Sequence, residues 1–248
     1  MAQAQGTHAL AEHATGHASV RGDEVARFDR LAAEWWDPAG PMRPLHAMNP
    51  LRVGWIDRRI RTAHPDGAAV LDIGCGAGLA AEALAQLGHR VLGLDAAPEP
   101  VAAGRAHAPP GLALEYRVGA AEDLVAEGRR FPVVTALEVI EHVTDPAAFL
   151  VLLARLLEPG GMLFVSTLNR TARSLVVAKL GAEYLLRLLP VGTHEWRRFV
   201  TPAELDQAGR AAGLRLAASA GMSYDPVRRR WSESRDLAVN YIALLRGA

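Results

Sequence analysis

Short apolar segments alternate with longer helical segments through the middle of the chain. The predicted strands cover residues 69–73, 90–94, 112–118, 133–137 and 162–167. The predicted helices between them cover residues 79–87, 98–107 and 146–157. Strands separated by helices of about ten residues form right-handed βαβ units. The sequence therefore predicts an α/β fold with a doubly wound, mostly parallel sheet and helices on both faces.

The N-terminal part of the chain precedes this alternation. Residues 1–22 are small and polar, with scattered histidines and no apolar periodicity, and we predict a disordered tail. Apolar residues at helical spacing follow Asp23, and a second helical pattern covers residues 50–63. Residues 23–66 are therefore predicted to form a helical cap.

The C-terminal third departs from strict alternation. We expect a long helical stretch over residues 171–189 and another helix over 202–212. Two final strands are expected at 214–219 and 239–245, joined by a polar, arginine-rich connection around Arg229. The expected sheet thus has seven strands within a single domain, residues 23–248, that includes a helical insertion at 171–200.

Composition excludes several classes of protein. The 27 basic and 27 acidic residues cancel, so no basic field favours nucleic acid. Cys75 is the single cysteine, which rules out an intrachain disulfide and fits a reducing compartment. Neither a secretory signal nor an apolar run of about 18 residues is present. A cytoplasmic protein is expected.

The segment from Leu71 to Gly78 is a glycine loop between a strand and a helix. Gly74 and Gly76 let the backbone turn tightly and approach a ligand. Asp95, 21 residues after Gly74, follows the next strand, where an acidic side chain can bind ribose hydroxyls. The alternatives are an ordinary glycine turn and an aspartate that caps the helix from Pro98. Cys75 is interpreted as a small packed residue, with a reactive thiol as the alternative.

The loop spacing resembles the S-adenosylmethionine (SAM) loop of class I methyltransferases, and differs from the usual dinucleotide fingerprint Gly-x-Gly-x-x-Gly. The segment from Gly119 to Asp123, which contains Glu122, is similar to the adenine-side segment of that family. The resemblance implies a Rossmann-like class I methyltransferase fold with SAM as methyl donor.

A second group of polar residues follows the fourth predicted strand. Glu138, Glu141 and His142 have the spacing i, i+3 and i+4, which places side chains on one face of a helical turn. Two carboxylates and an imidazole suit a divalent cation, with magnesium the expected ion and manganese, zinc or iron tolerated. The alternative is that the Glu-His pair serves only the hydrogen bonding of the loop.

Several longer segments resemble the ubiquinone-biosynthesis O-methyltransferases, and the resemblance extends from about residue 23 to 245. The segments are Phe28, Trp35–Asp37, Pro44–His46, Asn49–Arg52, Ser166–Arg170, Gly181–Tyr184, Gly192–His194 and Asn240–Tyr241. The resemblance implies O-methylation of ring hydroxyls on polyprenyl intermediates, namely 2-polyprenyl-6-hydroxyphenol and 3-demethylubiquinol. It implies partners among other ubiquinone-biosynthesis proteins.

The resemblance also assigns site residues. It implies cofactor contacts at Arg52, Gly74, Asp95 and Leu137, to which the loop and adenine-side segments add Gly76 and Glu122. It implies metal contacts at Glu138, Glu141 and His142.

Methyl transfer requires a deprotonated acceptor oxygen. Coordination to a divalent cation would lower the pKa of a catechol hydroxyl. Glu138 and His142 are therefore catalytic candidates, with His142 as general base in the alternative route and His194 as a third candidate. The competing functions are a methyltransferase for another small catechol or carboxylate, and a SAM-binding protein without activity.

The segment from Thr171 to Trp196 has an apolar band surrounded by basic residues. The band contains Leu175, Val176, Leu180, Tyr184, Leu185, Leu188 and Leu189. This pattern is typical of a helix lying on an anionic membrane surface, and the alternative is a helix packed against the sheet. We expect peripheral contact with the inner face of the cytoplasmic membrane.

Overall fold

The structure is a computed structural model, and it describes residues 19–176, 196–225, 228 and 230–247. One sheet runs through it in the order β3-β2-β1-β4-β5-β8-β6-β7. Its strands are β1 Ala69–Ile73, β2 Arg90–Asp95, β3 Leu114–Val118, β4 Phe131–Leu137, β5 Leu157–Leu168, β6 Leu214–Asp225, β7 Arg230–Ser234 and β8 Asn240–Gly247. Strands β1 to β5 pair in parallel, and the last three pair antiparallel.

The described residues contain seven α-helices of six or more residues. They are α1 Gly22–Leu31, α2 Arg43–Arg61, α3 Leu79–Gln86, α4 Pro98–His107, α5 Ala121–Ala126, α6 Pro146–Arg155 and α7 Pro202–Ala211. Short 3-10 turns cover Ala32–Glu34 and Trp196–Arg198. Residues 172–176 are also helical. No helix in these parts of the chain is long and apolar enough to span a membrane.

The predicted doubly wound fold is confirmed. Successive residues of a strand point to opposite faces of the sheet, so Leu71 of β1 packs on one side and Val70 on the other. The first side is covered by α5, α6 and α7, with Leu150 and Leu205 in its core. The second is covered by α2, α3 and α4, with Ile56 in its core.

The structure corrects two details of the prediction. Over the described ranges the sheet has eight strands instead of seven, because β7 lies within the predicted arginine-rich connection. This edge strand has no fully buried side chain and so lacks the apolar alternation that identifies a strand. Helix α2 begins at Arg43, well before the predicted start, and Pro50 lies inside it.

Parts of two predicted segments lie outside the described residues. They are residues 1–18 of the predicted tail and residues 177–195 of the predicted insertion. Ser19, by contrast, hydrogen-bonds to the carboxylate of Glu122. The predicted limits of the cap and of the single domain stay predictions.

Helix α4 lies directly against the glycine loop at Gly104. A Cβ atom there would lie 2.8 Å from the carbonyl oxygen of Ala77 and 3.0 Å from the ring of Tyr116. Gly54 of α2 offers a contrast, because the nearest atom is the flexible guanidinium of Arg58 at 3.5 Å. Alanine substitutions at the two glycines therefore distinguish the effect of helix propensity from the effect of packing.

We expect Gly104→Ala to destabilise the protein and Gly54→Ala to stabilise it. Alanine favours either helix by about 1 kcal/mol. At Gly104, overpacking against loop backbone costs about 1–3 kcal/mol and outweighs that gain. Urea unfolding should show a lower free energy of unfolding for the first variant and a higher one for the second. Equal stabilisation of both would contradict the packing of α4 on the loop.

Candidate active site

The glycine loop connects β1 to α3 at the carboxyl end of the sheet. Gly74, Gly76 and Gly78 have φ values of 66°, 54° and 91°, a region that side chains with a Cβ rarely adopt. The amide of Gly74 donates to the carbonyl of Leu94 at 2.8 Å. The ring of Trp35 packs against Gly76 and leaves no room for a side chain there. The loop geometry thus requires glycine at these positions.

Asp95 at the end of β2 holds this loop. Its Oδ2 accepts a hydrogen bond from the Gly76 amide at 2.7 Å, and its Oδ1 accepts one from the Ala97 amide at 2.8 Å. Burial raises the pKa of Asp95, although these amides oppose the shift. Since a carboxylate has roughly four acceptor positions, the capping role and a ribose contact are compatible.

Glu122 lies in the first turn of α5, next to the loop that follows β3. The amide of Gly119 donates to the carbonyl of Asp95 at 2.9 Å, which joins the ends of β2 and β3. The Glu122 carboxylate accepts hydrogen bonds from the amide and the hydroxyl of Ser19, each at 3.0 Å. The N-terminal segment therefore reaches the predicted cofactor side of the sheet.

Arg52 of α2 is buried, with 3% of its surface exposed. Its Nη1 lies 3.6 Å from Oε1 of Glu138, and Nη2 donates to Asn49 at 3.4 Å. Within the described residues, neither Nε nor Nη1 has a hydrogen-bond partner. Burial lowers the pKa of Arg52, while Glu138, Asp72 and Glu141 oppose the shift. Leaving such donors unpaired is costly, and an anionic group of a bound ligand could satisfy them.

Two further residues near this site come from β1 and β4. Asp72 of β1 accepts a hydrogen bond from Thr135 of β4 at 2.5 Å. Burial raises the pKa of Asp72 to about 6, and Thr135 and Arg52 limit the rise. Leu137, the last residue of β4, packs against the same apolar cluster as α2.

The turn after β4 differs from the predicted helical one. Glu138 has a φ of 59°, which is unusual for a residue with a side chain, and residues 138–145 form bends and turns before α6. The prediction that a helical turn places Glu138, Glu141 and His142 on one face is therefore wrong.

The three side chains bind separate partners. Glu138 accepts a hydrogen bond from Ser166 at 2.6 Å, and Glu141 accepts one from Thr167 at 2.9 Å. Ser166 and Thr167 are consecutive residues of β5, so the two carboxylates contact opposite faces of that strand. His142 lies against α1 instead. In the part of the chain that the structure describes, no three His, Cys, Asp or Glu side chains are arranged to hold a metal ion.

These acidic groups are electrostatically strained. Burial and the nearby charge of Glu138 raise the pKa of Glu141 to about 7. Burial lowers the pKa of His142, but its hydrogen bond to Glu24 and the charge of Glu141 outweigh this, and the net shift is upward. Burial and the neighbouring Glu138 thus disfavour the charged form of Glu141 at this strand end.

Cys75 and His194 are the two remaining candidates. Cys75 is buried, and burial together with the charges of Asp95 and Asp72 raises the pKa of its thiol well above the usual value. The thiol stays protonated, as expected for a packed residue. His194 lies outside the described residues.

Sequence reasoning missed the residues that bond to the predicted site. Ser19 and Glu24 contact it from the N-terminal segment, and Ser166 and Thr167 from β5. A signal for Ser166 and Thr167 was present, since they lie in a segment that carried the family resemblance. Nothing in the helical pattern distinguished Glu24 from an ordinary surface glutamate.

Comparisons with known proteins identify the family of the chain. A methyltransferase domain model matches residues 49–219, more than half of the chain. The ubiquinone biosynthesis O-methyltransferases of Azorhizobium caulinodans and Dinoroseobacter shibae are each 47% identical to it. The alignments cover 92% of this chain, and 94% and 96% of those proteins. The chain belongs to the ubiquinone biosynthesis O-methyltransferase family. The enzyme is therefore a SAM-dependent O-methyltransferase.

Solved structures show the same fold. Magnesium protoporphyrin IX methyltransferase from Synechocystis PCC 6803, with bound SAH, has a TM-score of 0.63 and 21% identity. The match covers 90% of this enzyme and 94% of that chain. A SAM-dependent methyltransferase from Thermotoga maritima has a TM-score of 0.61 and 16% identity, over 89% and 98% of the two chains. The enzyme thus has the class I methyltransferase fold.

Proposed function

We propose that the enzyme methylates ring hydroxyls of polyprenyl phenols and catechols in ubiquinone biosynthesis, with 2-polyprenyl-6-hydroxyphenol and 3-demethylubiquinol as acceptors. The names of its relatives support this pathway. The observation that carries the proposal is the strand end itself, where Arg52, with unpaired donors, lies beside Glu138. This combination provides a contact for the carboxylate of the methyl donor and neighbouring groups that can take a proton.

The proposed contacts with the cofactor come from several neighbouring elements of the fold. Gly74 and Gly76 would let it approach the backbone, Asp95 would bind ribose hydroxyls, and Arg52 would bind its carboxylate. Glu122 would line the adenine side, and Leu137 would make a further contact with the cofactor. When bound, SAM supplies a methyl group on a positively charged sulfur, which is already a strong electrophile.

The remaining task of the protein is to deprotonate and orient the acceptor. A phenol has an ordinary pKa of about 10, so most of it is protonated at neutral pH. In the route without a cation, His142 is the proposed proton acceptor, with His194 as a second candidate. Orientation of the acceptor oxygen in line with the methyl group would supply much of the rate.

The enzyme is also proposed to use a divalent cation, held by Glu138, Glu141 and His142. Two carboxylates and an imidazole are suitable ligands for magnesium or manganese. The raised pKa of Glu141, caused by burial and by Glu138, is the strain that a cation would relieve. Binding would require Glu138 and Glu141 to turn from Ser166 and Thr167. The cation would lower the pKa of a coordinated hydroxyl.

Methyl transfer from labelled SAM to a short-chain prenyl catechol tests both proposals. We expect transfer that a chelator abolishes and magnesium restores, while calorimetry shows unchanged SAM affinity in the presence of chelator. The reason is that the proposed cation ligands and the proposed cofactor contacts are different residues.

Other results would separate the two proposals. Full activity of the metal-stripped enzyme would overturn the cation and leave His142 as the proton acceptor. Transfer to soluble catechols alone would overturn the polyprenyl substrate. SAM binding without transfer to any acceptor would indicate a non-catalytic protein.

We further propose that the segment from Thr171 to Trp196 contacts an anionic membrane surface, where a polyprenyl substrate would be collected. Residues 177–195 lie outside the described residues, and the apolar and basic pattern there is known from sequence. At its edge, Val176 is 53% exposed. The indole of Trp196 donates to the carbonyl of Thr171 at 2.8 Å, which brings the two ends of the segment together.

Co-sedimentation with liposomes tests the membrane proposal. Binding should require anionic lipid, weaken with salt, and fall when Leu185 and Leu188 are both changed to glutamate. Val151→Glu is the matched control, because Val151 is 45% exposed on α6 and its loss should leave binding unchanged. Recovery of the enzyme in the supernatant with and without anionic vesicles would contradict the proposal.

A further inference from the structure

We propose that Glu24 of the N-terminal helix is a positioning residue, which holds the imidazole of His142 in the orientation that methyl transfer requires. The inference rests on the proposed function, in which His142 acts on the acceptor. It adds a residue from α1, a helix that sequence reasoning treated as a cap alone.

The geometry holds the imidazole ring on two sides. Oε2 of Glu24 lies 3.4 Å from Nδ1 of His142. Phe28 lies one turn further along α1, and its ring meets the imidazole edge-on, with 5.7 Å between the centroids and 84° between the planes. Residues four apart share a helix face, so Glu24 and Phe28 reach His142 together. The side chains of Glu24 and His142 are 19% and 17% exposed, so water screens their contact only in part.

A carboxylate at Nδ1 determines which ring nitrogen carries the hydrogen. A neutral imidazole has one N–H and one lone pair, and a carboxylate next to Nδ1 favours the form with the hydrogen there. The lone pair then lies on Nε2. Both proposed roles of His142, as proton acceptor and as cation ligand, require a lone pair in a fixed direction.

Helix α1 is attached to the domain at points other than His142. The carboxylate of Asp29 accepts a hydrogen bond from the Glu99 amide at 3.2 Å, and Ser19 bonds to Glu122. Trp35, just after α1, packs on Gly76. The position of the Glu24 backbone is therefore set independently of its contact with the imidazole.

Other charged groups near Glu24 define the controls. Arg27 lies 3.4 Å from the same carboxylate oxygen, so its guanidinium shares Glu24 with His142. Asp23 precedes Glu24 in the same helical turn, but its carboxylate is 65% exposed and pairs with Arg21. Replacing Asp23 removes one acidic residue from the start of α1 and leaves His142 untouched.

The test compares Glu24→Ala, Glu24→Gln and Asp23→Ala in the full chain. Loss of a carboxylate that orients a metal-ligating histidine typically costs 10- to 100-fold in metal affinity or activity. We expect kcat of Glu24→Ala to fall by that factor with KM for SAM unchanged, and Asp23→Ala to resemble the wild type. Glu24→Gln should recover part of the rate, because its amide oxygen can accept the Nδ1 hydrogen.

Nitrogen-15 NMR of labelled histidine gives a readout independent of turnover. The His142 signal, assigned from its loss in His142→Gln, should show hydrogen on Nδ1 in the wild type and in Glu24→Gln. In Glu24→Ala we expect it to move towards the form with hydrogen on Nε2. An unchanged signal in Glu24→Ala, or a loss of kcat no larger than in Asp23→Ala, would overturn the proposal. Because the NMR result needs no substrate, it decides the orientation of His142 even if no prenyl acceptor is methylated.

Discussion

The guanidinium of Arg52 is buried beside the carboxylates at the carboxyl end of the sheet, and the chemistry of the site depends on its charge. Removing a charged group from water costs several kcal/mol unless partners replace the lost solvation. Glu138 lies 3.6 Å from Arg52. The charges of Asp72 and Glu141 also raise the pKa of Arg52 and so favour its charged form. Even with this cation, the pKa of Asp72 rises to about 6 and that of Glu141 to about 7. The site is thus built to receive further charged or hydrogen-bonding groups.

The N-terminal helices take part in this arrangement as well as covering the sheet. Helix α2 brings Arg52 over the ends of β1 and β4, while its other buried residues, such as Ile56, fill the core below. The chain before it packs Trp35 on the glycine loop and brings Glu24 to His142. Catalysis in this account requires elements that lie outside the alternating βαβ units.

Local patterns in the sequence were sufficient for the fold and the glycine loop. Positive φ at Gly74 and Gly76 is a property of the loop backbone itself, so the residue type reveals it. Local patterns were not sufficient for the geometry of the predicted metal site. That prediction assumed a helical turn, which the left-handed backbone conformation of Glu138 interrupts. The partners Ser166 and Thr167 come from another strand, and their alternation across β5 separates Glu138 from Glu141. Such contacts depend on tertiary packing, which spacing along the chain does not encode.

Calorimetric titration of Arg52→Met with two ligands tests the central claim, that this buried arginine binds the carboxylate of the methyl donor. Loss of a charge-assisted hydrogen bond costs about 1.5–3 kcal/mol. SAM should therefore bind roughly 10- to 150-fold more weakly to the variant. 5′-Methylthioadenosine, which lacks the carboxylate, should bind as it does to the wild type. Arg58→Met is the control, since Arg58 is exposed on the same helix. Unchanged SAM affinity in a folded Arg52→Met variant, or equal weakening of both ligands, would contradict the account.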